Sequence, residues 1–171
     1  GGEGAYNGSS GGTGSETTIA AIITMKEDKA KITIADPGLV PRVAVLDPEI
    51  LVKLPKAITA ATGMDALTHA VESFLGQWTT EFTEQQSLMA VEKIFRHLLR
   101  TYHAPEDLEA REMMLNASFQ AGVAFTRANV GYVHAIAHQF GGMFHTPHGV
   151  ANAMVLPHIL DFYIRDEVAE G

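Results

Sequence analysis

Four of the eight histidines in this 171-residue chain fall within fifteen consecutive residues, "HAIAHQFGGMFHTPH". His134 and His138 are four residues apart, and Asp65 and His69 repeat this spacing earlier in the chain. On a helix, residues four apart project from the same face, with Cβ atoms ~5–6 Å apart. A carboxylate combined with imidazoles suits a divalent ion such as Zn²⁺ or Fe²⁺. The residue types therefore predict a metal site, with ligands drawn from Asp65, His69, His134, His138, His145 and His148.

Each of these pairs also has a purely structural interpretation. The segment "TGMD" at residues 62–65 is typical of a helix start, where the Asp65 carboxylate would cap free backbone amides. A lone His69 is more often a hydrogen-bonded core histidine than a metal ligand. However, a buried histidine needs partners for both ring nitrogens, so a cluster of histidines favours a bound ion. The "HAIAH" segment lacks the glutamate of a zinc protease motif.

The composition narrows the classes of function. With 12 Lys and Arg residues against 20 Asp and Glu, the formal net charge is -8. Such a surface repels phosphate backbones and anionic lipids, so we expect no nucleic-acid and no membrane partner. No apolar run approaches the ~20 residues of a membrane span, and no signal-peptide pattern is present. The absence of cysteine excludes disulfides and thiolate ligands and fits a cytoplasmic protein.

The elements expected to position these residues are a short β portion followed by helices. Apolar β-branched residues predict a strand over 17–25, and alternation predicts a second over 31–36. The polar "KEDK" between them completes a hairpin, and a third strand is predicted over 43–47. Helical spacing then predicts helices over 62–75, 87–99 and 105–125, with further helical segments around and after His134, about five in all. The apolar positions of the helix over 87–99 are Leu88, Val91, Phe95, Leu98 and Leu99.

Four motifs occur in the order "GTGSE", "DPGLVPRVAVLDPE", "ATGMDALTHAVES" and "HAIAHQFGGMFHTPHGVANAMVLPH". From about residue 11 to residue 163, the chain resembles the iron-containing alcohol dehydrogenases. The resemblance implies the helical metal-binding domain of a dehydroquinate synthase-like, iron alcohol dehydrogenase fold, mostly α with a short N-terminal β portion. Since the family's upstream glycine-rich diphosphate motif is not found, this fold is expected to be incomplete at both ends.

The domain organisation follows from composition and resemblance together. The glycine-rich residues 1–10 are expected to be a linker or an artificial tail. Residues 11–48 correspond to a remnant of the nucleotide-binding α/β domain, comprising the hairpin and one strand. Residues 49–171 correspond to part of the helical metal-binding domain.

The resemblance also implies roles for individual residues. The implied metal ligands are Asp65, His69, His134 and His148. His138 matches a non-ligand histidine that lines the site near the nicotinamide, which makes it the implied catalytic residue, and His145 is left without a role. The implied cofactor-binding residues are Gly12, Thr13 and Lys31. The implied cofactors are a divalent metal, Fe²⁺ before Zn²⁺, and NAD or NADP, and the implied partners are a small alcohol or aldehyde and a further copy of the chain in a homo-oligomer such as a dimer.

The activity implied by the resemblance is metal-dependent hydride transfer between an alcohol and a nicotinamide. One alternative is a metal-binding or structural fragment without catalysis, because the diphosphate-binding motif is not found. Another alternative is a metal-dependent hydrolase that uses the same ligands with water in the open coordination position. Oxidation of NAD(P)H by an aldehyde would distinguish the dehydrogenase from both alternatives.

Overall fold

The structure, a computed structural model, describes residues 5–7, 12–24 and 31–170, without the side chains of residues 5–7, 20–24, 31–33 and 166–170. Strands β2 (Ala20–Thr24) and β3 (Lys31–Ala35) form an antiparallel hairpin in which Ala20 pairs with Ala35. The hairpin prediction is therefore confirmed. Its first strand begins later than predicted because Ser15–Thr17 form a 3₁₀ turn. The predicted turn over 26–29 lies outside the described residues.

A second pair of strands is formed by the first and the last strand of the β portion. Strand β1 (Ala5–Asn7) runs parallel to β4 (Val43–Val45), with Ala5 opposite Val43. The segment 1–10, for which composition predicts a linker or tail, thus includes a short strand at 5–7. The other residues of that segment lie outside the described part of the chain.

Helices make up most of the remainder of the chain. In the described residues they are α1 (Lys56–Leu75), α2 (Glu81–His103), α3 (Leu108–Ala128), α4 (Tyr132–Phe144) and α5 (His148–Glu170). Their number agrees with the predicted five, and the fold class, mostly α with a short N-terminal β portion, is confirmed. No helix among the described residues is long and apolar enough to cross a membrane.

Side-chain caps account for the starts of α2 and α3. Thr80 and Thr83 form a reciprocal capping box at the start of α2, and the Asp107 side chain accepts from Ala110 N–H at the start of α3. Helix α1 begins directly after Pro55, nine residues before Asp65. The interpretation of Asp65 as a helix cap is therefore wrong, because the carboxylate lies in the middle of α1, where backbone amides are already bonded along the helix.

Helix α1 is the centre of the packing and contacts α2, α3 and α5. A buried apolar cluster joins α1 to the helices around it and comprises Ala66, Leu67, Ile94, Met114, Ala117, Val133, Val155 and Leu156. Burial of this apolar surface places the middle of α1, with its polar residues, beneath α4 and α5.

The interior face of α2 differs in part from the predicted one. Leu88, Phe95 and Leu99 are exposed in the described chain, and the buried residues of α2 are Thr83, Ser87, Ala90, Ile94 and Thr101. These residues are mostly small, which lets the helices approach closely enough for Ser87 Oγ to lie 2.8 Å from Ser73 Oγ of α1. Val91 and Leu98 do pack against the buried cluster, as predicted. Apolar spacing alone therefore selects only part of the interior face, because close contact here also depends on small side chains.

Candidate metal centre

Three helices bring an aspartate and three histidines together. Asp65 and His69 lie one turn apart on α1, and both are buried. His134 lies in the first turn of α4, and His148 is the first residue of α5. Asp65 Oδ1 lies 4.0 Å from His69 Nε2, 3.6 Å from His134 Nε2 and 3.3 Å from His148 Nε2. All four residues that the sequence predicts as ligands thus converge on one point.

The spacing and chemistry of these atoms fit a divalent cation. Ligand atoms of Asp65, His69 and His134 all lie within 4.8 Å of one another. Ligand atoms ~2.1 Å from a tetrahedral ion are ~3.4 Å apart, close to the separations found here. His69 Nδ1 is buried and makes no hydrogen bond, which is costly for a histidine whose only role is packing. One carboxylate oxygen with imidazole nitrogens is a donor set suited to Zn²⁺ or Fe²⁺.

The electrostatics favour the forms of Asp65 and His69 that a cation needs. Burial opposes ionisation of Asp65, but the contacts with His134 and His148 and the nearby His69 outweigh it and hold the pKa of the carboxyl well below its usual value. Burial lowers the pKa of His69 to about 4, against the attraction of Asp65. At neutral pH the site therefore contains an anionic carboxylate and a neutral His69 imidazole.

Aromatic contacts fix the orientation of the rings. The His69 ring stacks on Phe125 of α3 with centroids 4.2 Å apart, and on His134 with centroids 4.6 Å apart. The site is open to solvent at His148, because the side chain of His148 is 42% exposed. The site is therefore packed on the α1 and α3 side and exposed beside α5.

Glu72 of α1 is a functional candidate that the sequence interpretation does not include. Its buried carboxylate accepts from Val133 N–H at 2.6 Å and lies 2.5 Å from His134 Nδ1. Burial opposes ionisation of Glu72, but its contacts with His134 and the backbone outweigh burial and hold the pKa of Glu72 below its usual value. Burial likewise opposes protonation of His134, but Asp65 and Glu72 raise the pKa of His134 above its usual value. The available signal is spacing, since Glu72 follows His69 by three residues and lies on the same side of the helix.

Asn152 of α5 is the second residue that the sequence interpretation does not include. Its Nδ2 donates to Asp65 Oδ1 at 2.7 Å and lies 3.2 Å from Nε2 of both His134 and His148. Asn152 is fully buried, and its Oδ1 makes no hydrogen bond. Its spacing of four residues from His148 places both side chains on one face of α5.

The remaining histidines of the cluster lie at the edge of the site. His138 is exposed on α4, with its ring centroid 6.0 Å from that of His134 and 5.2 Å from that of His148. It therefore borders the accessible side of the ligand set. His145 is the exposed residue that ends α4 in a left-handed conformation, with φ 55°.

The glycine-rich turn predicted to bind cofactor packs against the helical domain. Gly12 is buried so closely against Thr62 that a Cβ atom would overlap the Thr62 backbone. Gly14, with φ 58°, donates its N–H to Ser118 Oγ of α3 at 3.1 Å. Thr13 is exposed, and Lys31 begins β3, with its side chain outside the described part of the chain. The turn is thus attached to α3, the helix whose Phe125 stacks on His69.

Comparison with known proteins identifies extensive similarity. The model of the "Fe-containing alcohol dehydrogenase family, C-terminal" matches residues 59–170. The NAD-dependent methanol dehydrogenase of Bacillus methanolicus is 43% identical over 151 residues, which cover 88% of this chain and 40% of that protein. The 1,3-propanediol dehydrogenase of Klebsiella pneumoniae is 46% identical over 148 residues, which cover 86% of this chain and 38% of that protein.

Solved structures show the same similarity in three dimensions. A crystal structure of 1,3-propanediol oxidoreductase superposes with a TM-score of 0.90 at 43% identity, covering 92% of this chain and 41% of that one. The sulfoacetaldehyde reductase of Bifidobacterium kashiwanohense, solved with NAD⁺, superposes with a TM-score of 0.90 at 32% identity, covering 92% and 42%. The chain therefore spans about 40% of the length of these relatives.

Proposed function

The chain belongs to the Fe-containing alcohol dehydrogenase family, and we propose that it supplies the metal centre of an NAD(P)-linked alcohol dehydrogenase or aldehyde reductase. The observation that carries this proposal is the convergence of Asp65, His69, His134 and His148 from three helices. We propose these four residues as the ligands, with Fe²⁺ favoured over Zn²⁺ because of the family to which the chain belongs. Such an ion supplies Lewis-acid chemistry, polarising the oxygen of a small alcohol or aldehyde and lowering the pKa of an alcohol.

Residues of this chain are proposed to position the substrate and to transfer its proton. Asp65 and His69 are held by the core of α1, so the part of the site they form is preorganised. His148 is partly exposed, and the substrate oxygen is proposed to approach beside it. His138 lies next to His148 at this opening, within reach of a small substrate, and we assign its imidazole to accept or return a proton.

The nicotinamide is proposed to lie on the side of the glycine-rich turn. Its hydride chemistry belongs to the cofactor, and the protein's contribution is to place it against the substrate. The exposed Thr13 next to Gly12, together with Lys31, is the proposed contact region. The name of the Bacillus methanolicus relative and the NAD⁺ in the sulfoacetaldehyde reductase structure support NAD, while NADP remains the alternative to be tested.

Reductase activity of the reconstituted chain tests this function. After treatment with a chelator, the chain is reloaded with Fe²⁺ under anaerobic conditions, or with Zn²⁺, and mixed with NADH or NADPH and propanal. We expect oxidation of the nucleotide that requires both metal and aldehyde, is lost in Asp65→Asn and is retained in His158→Ala, an exposed histidine on α5. A folded, metal-loaded chain that oxidises neither nucleotide would contradict the dehydrogenase, and metal-dependent hydrolysis of an ester without nucleotide would favour the hydrolase.

A further inference from the structure

We propose that Glu72 is a positioning residue of this metal centre. It fixes the ring and the tautomer of His134, so that the Nε2 lone pair faces the other ligand atoms. The same carboxylate caps the N-terminus of α4. The expected effect on metal affinity rests on the proposed function. The tautomer of His134, in contrast, can be measured in the metal-free chain.

Glu72 contacts His134 through both backbone and side chain. Its Oε1 accepts from Val133 N–H at 2.6 Å, and its Oε2 accepts from His134 N–H at 3.3 Å. The same Oε2 lies 2.5 Å from His134 Nδ1. Glu72 is 6% exposed and His134 is 3% exposed, so water does not compete appreciably for these bonds.

Helix α4 needs this carboxylate because its own sequence does not provide a cap. Its N-cap residue, Gly131, has no side chain that could accept a hydrogen bond from the first-turn amides. Unpaired first-turn N–H groups are costly when buried, and a negative charge there is stabilised by the helix dipole. Glu72 reaches across from α1 and satisfies the amides of Val133 and His134. The backbone of α4 is therefore placed by the helix that carries Asp65 and His69.

The same contact determines which ring nitrogen of His134 carries the proton. An ionised carboxylate only accepts hydrogen bonds, so Nδ1 of neutral His134 must be the N–H donor. Nε2 is then left with a lone pair, and it is the nitrogen that lies 3.6 Å from Asp65 Oδ1. A carboxylate behind a metal-binding histidine fixes the ring and raises its basicity, and loss of such a partner typically costs 10–100-fold in metal affinity.

The substitution Glu72→Gln separates positioning from folding. The amide oxygen of glutamine can still accept the short bond from Val133 N–H, which leaves its NH₂ group facing His134 Nδ1 and gives up only the longer bond from His134 N–H. Nδ1 must then accept, the proton moves to Nε2, and the lone pair is lost. The matched control is Glu92→Gln, because Glu92 is an exposed residue whose partner Arg96 is also exposed.

The experiment has two readouts. The first is ¹⁵N NMR of the metal-free chain at a pH where His134 is neutral, with the His134 signal assigned by its loss in His134→Gln. The second is Zn²⁺ affinity by competition with a chelating dye, with circular dichroism to check folding. We expect an Nδ1–H tautomer in the unsubstituted chain and in Glu92→Gln, and an Nε2–H tautomer with Zn²⁺ affinity roughly 10–100-fold lower in Glu72→Gln.

The two proposals fail in distinguishable ways. A wild-type His134 protonated at Nε2, or a Glu72→Gln chain with unchanged tautomer and affinity, would overturn the role of Glu72. If the folded wild-type chain binds no metal, the proposed function fails, while the tautomer measurement still decides whether Glu72 orients His134. If Glu72→Gln does not fold, Glu72→Ala with the tautomer measured at lower temperature provides the second test. That variant should lose the Nδ1–H preference.

Discussion

Asn152 donates its side-chain amide to Asp65 across 2.7 Å and so joins the second turn of α5 to the middle of α1. The same Nδ2 lies 3.2 Å from Nε2 of His134 and of His148. One amide group therefore faces three of the four proposed ligand atoms. In the metal-free chain, this amide group hydrogen-bonds to ligand atoms whose lone pairs would otherwise bind a cation.

Asn152→Ala should destabilise the metal-free chain more than the metal-loaded chain. Removal of the amide leaves buried acceptors facing one another without a donor, at a cost of about 1–3 kcal/mol in the free energy of unfolding. A bound cation replaces that donor, so the cost should be smaller with saturating Zn²⁺. Urea denaturation in EDTA and in Zn²⁺ measures both values, with the half-buried Asn116→Ala on α3 as control. Equal destabilisation under the two conditions would contradict this role.

Gly149 allows α5 to approach α1 and thereby places His148. A Cβ atom at residue 149 would overlap the backbone of Ala61. Gly149→Ala should therefore lower the free energy of unfolding by about 1–3 kcal/mol, as overpacking does, and weaken Zn²⁺ binding by displacing His148.

Gly142→Ala is the matched control for this substitution. Gly142 lies in α4, is exposed and has no atom within 4 Å of an added Cβ. Its replacement should be neutral or stabilise the helix by up to about 1 kcal/mol. If Gly149→Ala bound Zn²⁺ as tightly as Gly142→Ala, the close approach would have no part in placing His148.

The buried His69 should make the metal-free chain less stable in mild acid. Its pKa is about 4 in the folded chain, against an ordinary value of 6.5, so between these values the unfolded chain binds the additional proton. This contribution to stability is fully present above pH 6.5 and falls as the pH decreases to 4, by about 3 kcal/mol at ~1.36 kcal/mol per unit of pKa difference.

The comparison that isolates this effect is His69→Phe, which keeps an aromatic ring against Phe125 but does not titrate. The contributions of Asp65, Glu72 and His134 are largely common to both proteins. Urea denaturation in EDTA over this pH range should therefore show a steeper loss of stability in wild type than in His69→Phe. Parallel curves would mean that burial does not shift the titration of His69.

His138→Ala should impair turnover without loss of metal. Its ring lies beside His148 on the exposed side of the site, where a substrate proton would be transferred. Loss of a proton-transfer group typically lowers turnover by roughly 10²-fold or more. Metal content by elemental analysis should stay at the wild-type value, and a chain depleted of metal would identify His138 as a ligand instead.

Sequence spacing predicts the half of the site that lies on a single helix. Asp65 and His69 are recognisable because four-residue spacing on α1 is independent of how α1 packs. The orientation of α4 and α5 over α1 depends on Glu72, Gly149 and Asn152. Spacing places Glu72 beside His69 and Asn152 beside His148, but it does not show which other helix each residue contacts. Their roles become visible only from contacts such as the 2.5 Å approach of Glu72 to His134.

Local signals are also insufficient where packing decides the outcome. Helix α1 extends back to Lys56 without a side-chain cap, which is why "TGMD" predicts a helix start in the wrong place. In α2, the exposed Phe95 and Leu99 follow the helical period as well as the buried Ala90 and Ile94 do. The period alone therefore does not distinguish the two faces.

Asp65, His69, His134 and His148 are proposed to hold one divalent ion. Equilibrium dialysis against Zn²⁺ or anaerobic Fe²⁺, followed by elemental analysis, measures this directly in wild type, Asp65→Asn, His134→Ala, His148→Ala and the control His158→Ala. We predict one ion per chain in wild type and His158→Ala, and its loss or strong depletion in the other three, with folding checked by circular dichroism. A folded wild-type chain without an ion, or full occupancy in Asp65→Asn and His134→Ala, would contradict this ligand set.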